Sequence, residues 1–118
     1  MISRNAVRIS ALFGFLAVAL GAFGAHGLSA ILLRNNTRSI WETAVLYHLT
    51  HAVVLLLVST REPLPQWVWR WFASGVTIFS GSLYLLALTD LRWLGAITPA
   101  GGLCLLLGWL TLAWRGMR

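Results

Sequence analysis

Residues 41–60 read Trp-Glu-Thr-Ala-Val-Leu-Tyr-His-Leu-Thr-His-Ala-Val-Val-Leu-Leu-Leu-Val-Ser-Thr, and this stretch decides the fold class. A helix rises about 1.5 Å per residue and a bilayer core is about 30 Å thick, so a run of this length makes one crossing. Its only formal charge is Glu42, one residue inside its start. Arg61-Glu62-Pro63-Leu64-Pro65 closes it, with two prolines that stop a helix.

Three further runs of the same kind lie outward from it, at about 7–26, 67–89 and 93–114. Between them stand a polar loop, Arg34-Asn35-Asn36-Thr37-Arg38, and a tight connection, Thr89-Asp90-Leu91-Arg92. Asn35-Asn36-Thr37 also matches a glycosylation sequon, a three-residue pattern for which chance is the default. Small residues at 21–25 imitate a signal-peptide cleavage site. The first run is longer than a usual signal core and three more follow, so it reads as an uncleaved helix. The four runs fill most of the 118 residues, which form a single integral membrane domain over 1–118.

Composition agrees. Apolar residues make up 58% of the chain and charged residues 10%, with mean hydropathy +0.78. Soluble domains run at roughly 45–50% and about 25%. A soluble enzyme, a disordered tail and a disulfide-rich module are excluded. The lone Cys104 excludes an intrachain disulfide and any CxxC motif. The net charge of +6 comes from arginines scattered between apolar runs, so it reads as a topology signal and not as a nucleic-acid surface. Four crossings put both termini on one side. That side carries Arg4, Arg8, Arg61, Arg70, Arg115 and Arg118, against Arg34, Arg38 and Arg92 on the other. The positive-inside rule then places both termini in the cytoplasm. The tryptophans cluster at run ends as an interfacial belt, Trp109 being the least well placed.

Helices in lipid approach closely where small residues line up. Candidate lanes are Ala17, Gly21 and Ala25; Ala44, His48 and Ala52; Ala73, Thr77 and Gly81; and Ala100, Cys104 and Gly108. Pro99 either kinks the fourth helix or starts it, with Thr98 as its cap.

Ionisable and polar groups inside a membrane are costly and mark candidate sites. By helical rise His48 lies about 10 Å and His51 about 15 Å below the outer surface. His26 ends the first run on that side. Ser80, Ser82 and Tyr84 lie in the outer part of the third, and Thr98 begins the fourth. With Glu42 and Tyr47 these residues gather in the outer half, away from the termini. Ala44, Tyr47, His48 and His51 share a helical face. The favoured reading is a non-enzymatic accessory or binding protein whose polar pocket takes a lipid, a quinone or another small ligand. The alternative is a haem or metal protein, or an intramembrane enzyme, using His26, His48 and His51. The plainest reading makes the histidines interhelical hydrogen-bond partners, worth about 1 kcal/mol each. No catalytic residue and no cofactor can be named. Expected partners are membrane lipids, further copies of the chain or another membrane protein.

Four blocks carry a resemblance: Gly21-Ala22-Phe23-Gly24-Ala25-His26-Gly27-Leu28; Trp41-Glu42-Thr43-Ala44 with Tyr47-His48 and His51-Ala52; Phe79-Ser80-Gly81-Ser82-Leu83-Tyr84; and Leu94-Gly95-Ala96-Ile97-Thr98-Pro99-Ala100-Gly101-Gly102. In this order they resemble the YgdD-like family of small membrane proteins, a bacterial domain-of-unknown-function family with a mitochondrial relative. The resemblance covers nearly the whole chain. It implies a four-helix protein of the bacterial inner membrane, and it brings no substrate, cofactor or catalytic residue.

Overall fold

The computed structural model describes residues 3–116, so Arg118, one of the basic residues counted above, lies outside them. The described residues form helices α1 (Arg4–Ala25), α2 (Ser29–Asn35), α3 (Arg38–Ser59), α4 (Gln66–Thr89) and α5 (Thr98–Arg115), with a 3₁₀ turn at Arg92–Ala96 before α5. No strand occurs among them. Four segments are long and apolar enough to cross a membrane: α1, α3, α4, and the 3₁₀ turn with α5. α1 and α3 each start three residues before the apolar run does, because interfacial arginines join their first turns.

α3 and α4 form the centre. α1 packs on α3, and α5 packs on α4. Neither α1 with α5 nor α3 with α5 makes close backbone contact among the described residues. The long helices therefore stand in the order α1–α3–α4–α5, in a body of 48 × 26 × 17 Å. One end holds the start of α1, the end of α5 and the Thr60–Pro65 connection, and is called the termini end; α2 and the 3₁₀ turn lie at the other. Leu55, Val58, Val68, Phe72, Val76 and Leu105 form a core toward the termini end. Leu32, Trp41, Ala44, Tyr84 and Ala87 form another toward the α2 end.

α2 departs from the sequence reading, which placed only a loop before the second run. Ser29-Ala30-Ile31-Leu32-Leu33 is too short for a crossing, yet long enough for two turns that bury Leu32. Asn36 stops it in the left-handed region at φ 55°, a conformation asparagine tolerates. The polar residues that follow are structural. Thr37 Oγ1 donates to the Ala87 carbonyl at 2.7 Å, and Asn35 Nδ2 donates to Ala87 and Leu88 at 3.1 and 3.3 Å. These carbonyls belong to the last turn of α4, where no intrahelical donor is left. Arg92 ties the same corner, reaching the Asn35 carbonyl at 3.1 Å and the Asp90 carboxylate at 2.7 Å.

Only part of the small-residue reading holds. Ala44, His48 and Ala52 are buried together on α3. On α1, Ala17 and Gly24 are buried while Ala25 is exposed. On α4 the expected lane holds only at Ala73, which packs against the core; Thr77 is exposed, and a Cβ added at Gly81 would meet nothing within 4 Å. The close contact is made instead by Gly75, against Leu105. On α5 it is made by Gly101 against the Phe79 backbone and by Gly108 against Phe72, while Ala100 is exposed. Spacing alone does not tell which of two small-residue faces meets a neighbour. Pro99 lies in the first turn of α5, where its missing N–H costs nothing, so the helix starts at this point; Thr98 is its first residue and not its cap, which is Ile97 without a side-chain hydrogen bond.

Candidate functional site

The polar residues singled out by sequence fall into separate places. His48, buried on α3, meets Tyr84 of α4: its Nδ1 lies 2.8 Å from the Tyr84 hydroxyl. Phe13 of α1 sets its ring edge-on to the imidazole at 6.1 Å, and Trp41 leans on Tyr84 at 4.7 Å. This is a closed core contact joining α1, α3 and α4. Ser80 donates to the Ala44 carbonyl at 2.8 Å. Ser82 and Thr98 share a hydrogen bond of 2.7 Å between α4 and α5. His26 stands exposed just past α1, and Glu42 stands exposed on α3 beside Arg38. Among the described residues no three His, Cys, Asp or Glu side chains come together as a metal set.

His51 is different. Its Nδ1 lies 2.8 Å from the Tyr47 carbonyl, and the indole Nε1–H of Trp109 donates to its Nε2 at 3.1 Å. A carbonyl only accepts and an indole N–H only donates. The ring is therefore the neutral tautomer with its proton on Nδ1, and both nitrogens are satisfied. Trp109, the tryptophan that fitted the interfacial belt least, has this contact as its reason. His51 is thus a wall and not a free ligand. It lies about 20 Å along α3 from Arg38, past the helix middle, so it is nearer the termini end than the sequence reading placed it. Because α3 begins at Arg38, His48 falls at the middle of that helix as well.

His51 and Trp109 close the deep end of a groove of about 690 Å³. The groove exists because α3 and α5 both lean on α4 without touching each other along their backbones. Tyr47 and His51 of α3 form one wall, Phe79 of α4 the floor, and Pro99, Gly102, Leu103, Leu106 and Trp109 of α5 the other wall. Tyr47 stacks nearly parallel to His51, with 9° between the rings, and leans on Phe79 at 4.6 Å. Aromatic contacts fix the ring, yet its hydroxyl has no hydrogen-bond partner among the described residues. Of the nine expected residues the groove takes Tyr47 and His51. Phe79, Pro99, Gly102, Leu106 and Trp109 also line it and were not among the expected residues. Their one signal was the misfit of Trp109 with the belt.

An all-helical chain with four membrane-length apolar helices among its described residues is an integral membrane protein of the small polytopic class. Residues 20–102 match the family model described as a protein of unknown function (DUF423), and the chain belongs to that family. A UPF0382 membrane protein of Staphylococcus epidermidis is 44% identical over 108 residues, covering 88% of both chains. YwdK, a UPF0382 membrane protein of Bacillus subtilis, is 39% identical and covers 88% of this chain and 89% of its own. The UPF0382 inner membrane protein YgdD of Escherichia coli is 37% identical over 124 residues, covering 100% of this chain and 93% of its own. The YgdD-like resemblance is therefore correct. No solved structure matches the chain.

Proposed function

We propose that the protein is a membrane-embedded binding protein, with both termini cytoplasmic, that seats one lipid-soluble amphiphile in the α3–α5 groove. The observation that carries this reading is the Tyr47 hydroxyl, on a ring held in the groove wall, with no hydrogen-bond partner among the described residues. It stands about 14 Å along α3 from Arg38, at hydrocarbon depth. A hydroxyl left unpaired in such surroundings costs about 1–3 kcal/mol, and lipid tails offer it no acceptor. A ligand carbonyl, as in a quinone or an acyl ester, recovers that cost. The apolar walls suit the rest of such a molecule. The bound molecule is held and oriented by Tyr47, Phe79 and Trp109, with no chemical step.

Native mass spectrometry of the protein released with its own lipid tests the reading. The wild type carries one defined extra mass. Gly102→Leu removes it by filling the groove, and a side chain fits there because a Cβ at Gly102 would stand 3.7 Å from the Phe79 ring. Tyr47→Phe retains it more weakly. A bare chain, or the same lipid mixture in all three proteins, overturns the proposal. The same spectra count any further copies or membrane-protein partners.

A further inference from the structure

A second cavity, of about 300 Å³, opens between α1 and α3 at the α2 end. Gly21, Gly24 and Ala25 of α1 face Trp41, Val45, Leu46 and Leu49 of α3 across it, and Arg38 and Glu42 stand at its rim. Arg38 Nε and Glu42 Oε2 are 3.9 Å apart. That is close enough to attract and too long for a hydrogen bond, so each charge keeps hydrogen-bonding capacity. Both side chains are about two-thirds exposed, at 68% and 66%.

Helix stability does not account for this pair. An arginine four residues before a glutamate is the weaker of the two orders. Arg38 is also the first residue of α3, where the helix dipole disfavours a cation. No acidic residue occupies that first turn. The arrangement instead sets one cation and one anion side by side above an apolar slot that reaches Leu49, about 16 Å along the helix.

We propose that this slot binds one phospholipid whose headgroup carries a primary amine, as phosphatidylethanolamine does. The phosphate sits on the Arg38 guanidinium, the ammonium donates to the Glu42 carboxylate, and an acyl chain lies over Gly21 between α1 and α3. A headgroup with only negative charge meets Glu42 as a repulsion. A trimethylammonium headgroup has no N–H to donate to it.

The full chain in nanodiscs holding equal phosphatidylethanolamine, phosphatidylcholine and phosphatidylglycerol, with retained lipids weighed by native mass spectrometry, tests this. Retention of phosphatidylethanolamine exceeds that of phosphatidylcholine by about tenfold, on the scale of one charge-assisted hydrogen bond. Glu42→Gln brings that ratio to about one while lipid phosphate is still held, and Arg38→Gln reduces retention of all three lipids. Tyr47→Phe leaves the ratio unchanged, which separates this site from the α3–α5 groove. Both rim residues are exposed, so matched circular dichroism of the variants verifies folding. Equal retention of the three lipids, enrichment of phosphatidylglycerol, or an unchanged ratio in Glu42→Gln overturns the proposal.

Discussion

Gly24 has no side chain, and the Trp41 indole occupies the space a Cβ would need. That indole is buried and donates to the Leu20 carbonyl at 3.0 Å, so it cannot turn aside without losing a hydrogen bond. Gly24→Ala therefore destabilises the protein by about 1–3 kcal/mol, the usual cost of overpacking. Gly81→Ala, on an open face, loses nothing. Unfolding in mixed detergent micelles compares the two, and equal stability of both variants contradicts the assignment. Tyr84 and His48 are coupled in the same core. A double-mutant cycle with Tyr84→Phe and His48→Leu gives about 0.6 kcal/mol and no more than about 1.7 kcal/mol, the range for hydrogen bonds between membrane helices. A coupling of zero removes that bond from the account. The cost of histidine in lipid made His48 and His51 visible in the sequence. Their partners were not visible, because Tyr84 and Trp109 lie 36 and 58 residues away.

At the scale of the element, the last turn of α4 depends on residues 50 and more positions earlier in the chain. Thr37→Val with Asn35→Ala removes the donors to Ala87 and Leu88. Amide exchange then speeds up at the end of α4 and in α2, while the middle of α3 stays protected. Unchanged exchange at Ala87–Asp90 contradicts the capping role. The four long helices were legible because hydrophobic length is a strong signal. α2 was not, since seven residues make neither a crossing nor a clear amphipathic period. The packing face of α4 was misread for a related reason. Ala73, Thr77 and Gly81 recur as regularly as any packing lane, and only the presence of α5 on the other side selects Gly75.

For the molecule as a whole, the positive-inside rule carries the proposed orientation. Five of the eight arginines among the described residues, Arg4, Arg8, Arg61, Arg70 and Arg115, stand toward the end where α1 starts and α5 ends. At the α2 end, Arg38 and Arg92 stand beside Glu42 and Asp90. Under the cytoplasmic-termini reading, Asn36→Cys in a chain with Cys104→Ser is labelled by an impermeant thiol reagent from outside intact cells. Labelling only after the cytoplasm is opened reverses the topology. Helix order was beyond the sequence. Gly21 and Gly24 seat α1 on α3, and Gly75, Gly101 and Gly108 seat α5 on α4, which holds α5 off α3 and leaves the groove that Tyr47 lines.

Leu106 and Leu110 are equally exposed on α5, at 66% each, and only Leu106 lines the groove. A benzophenone amino acid placed at each position and photolysed in native membranes tests occupancy directly. One defined adduct mass is expected at position 106 and a spread of bulk-lipid adducts at 110. The same spread at both positions would show that the groove holds only bulk lipid, and would contradict a dedicated binding groove.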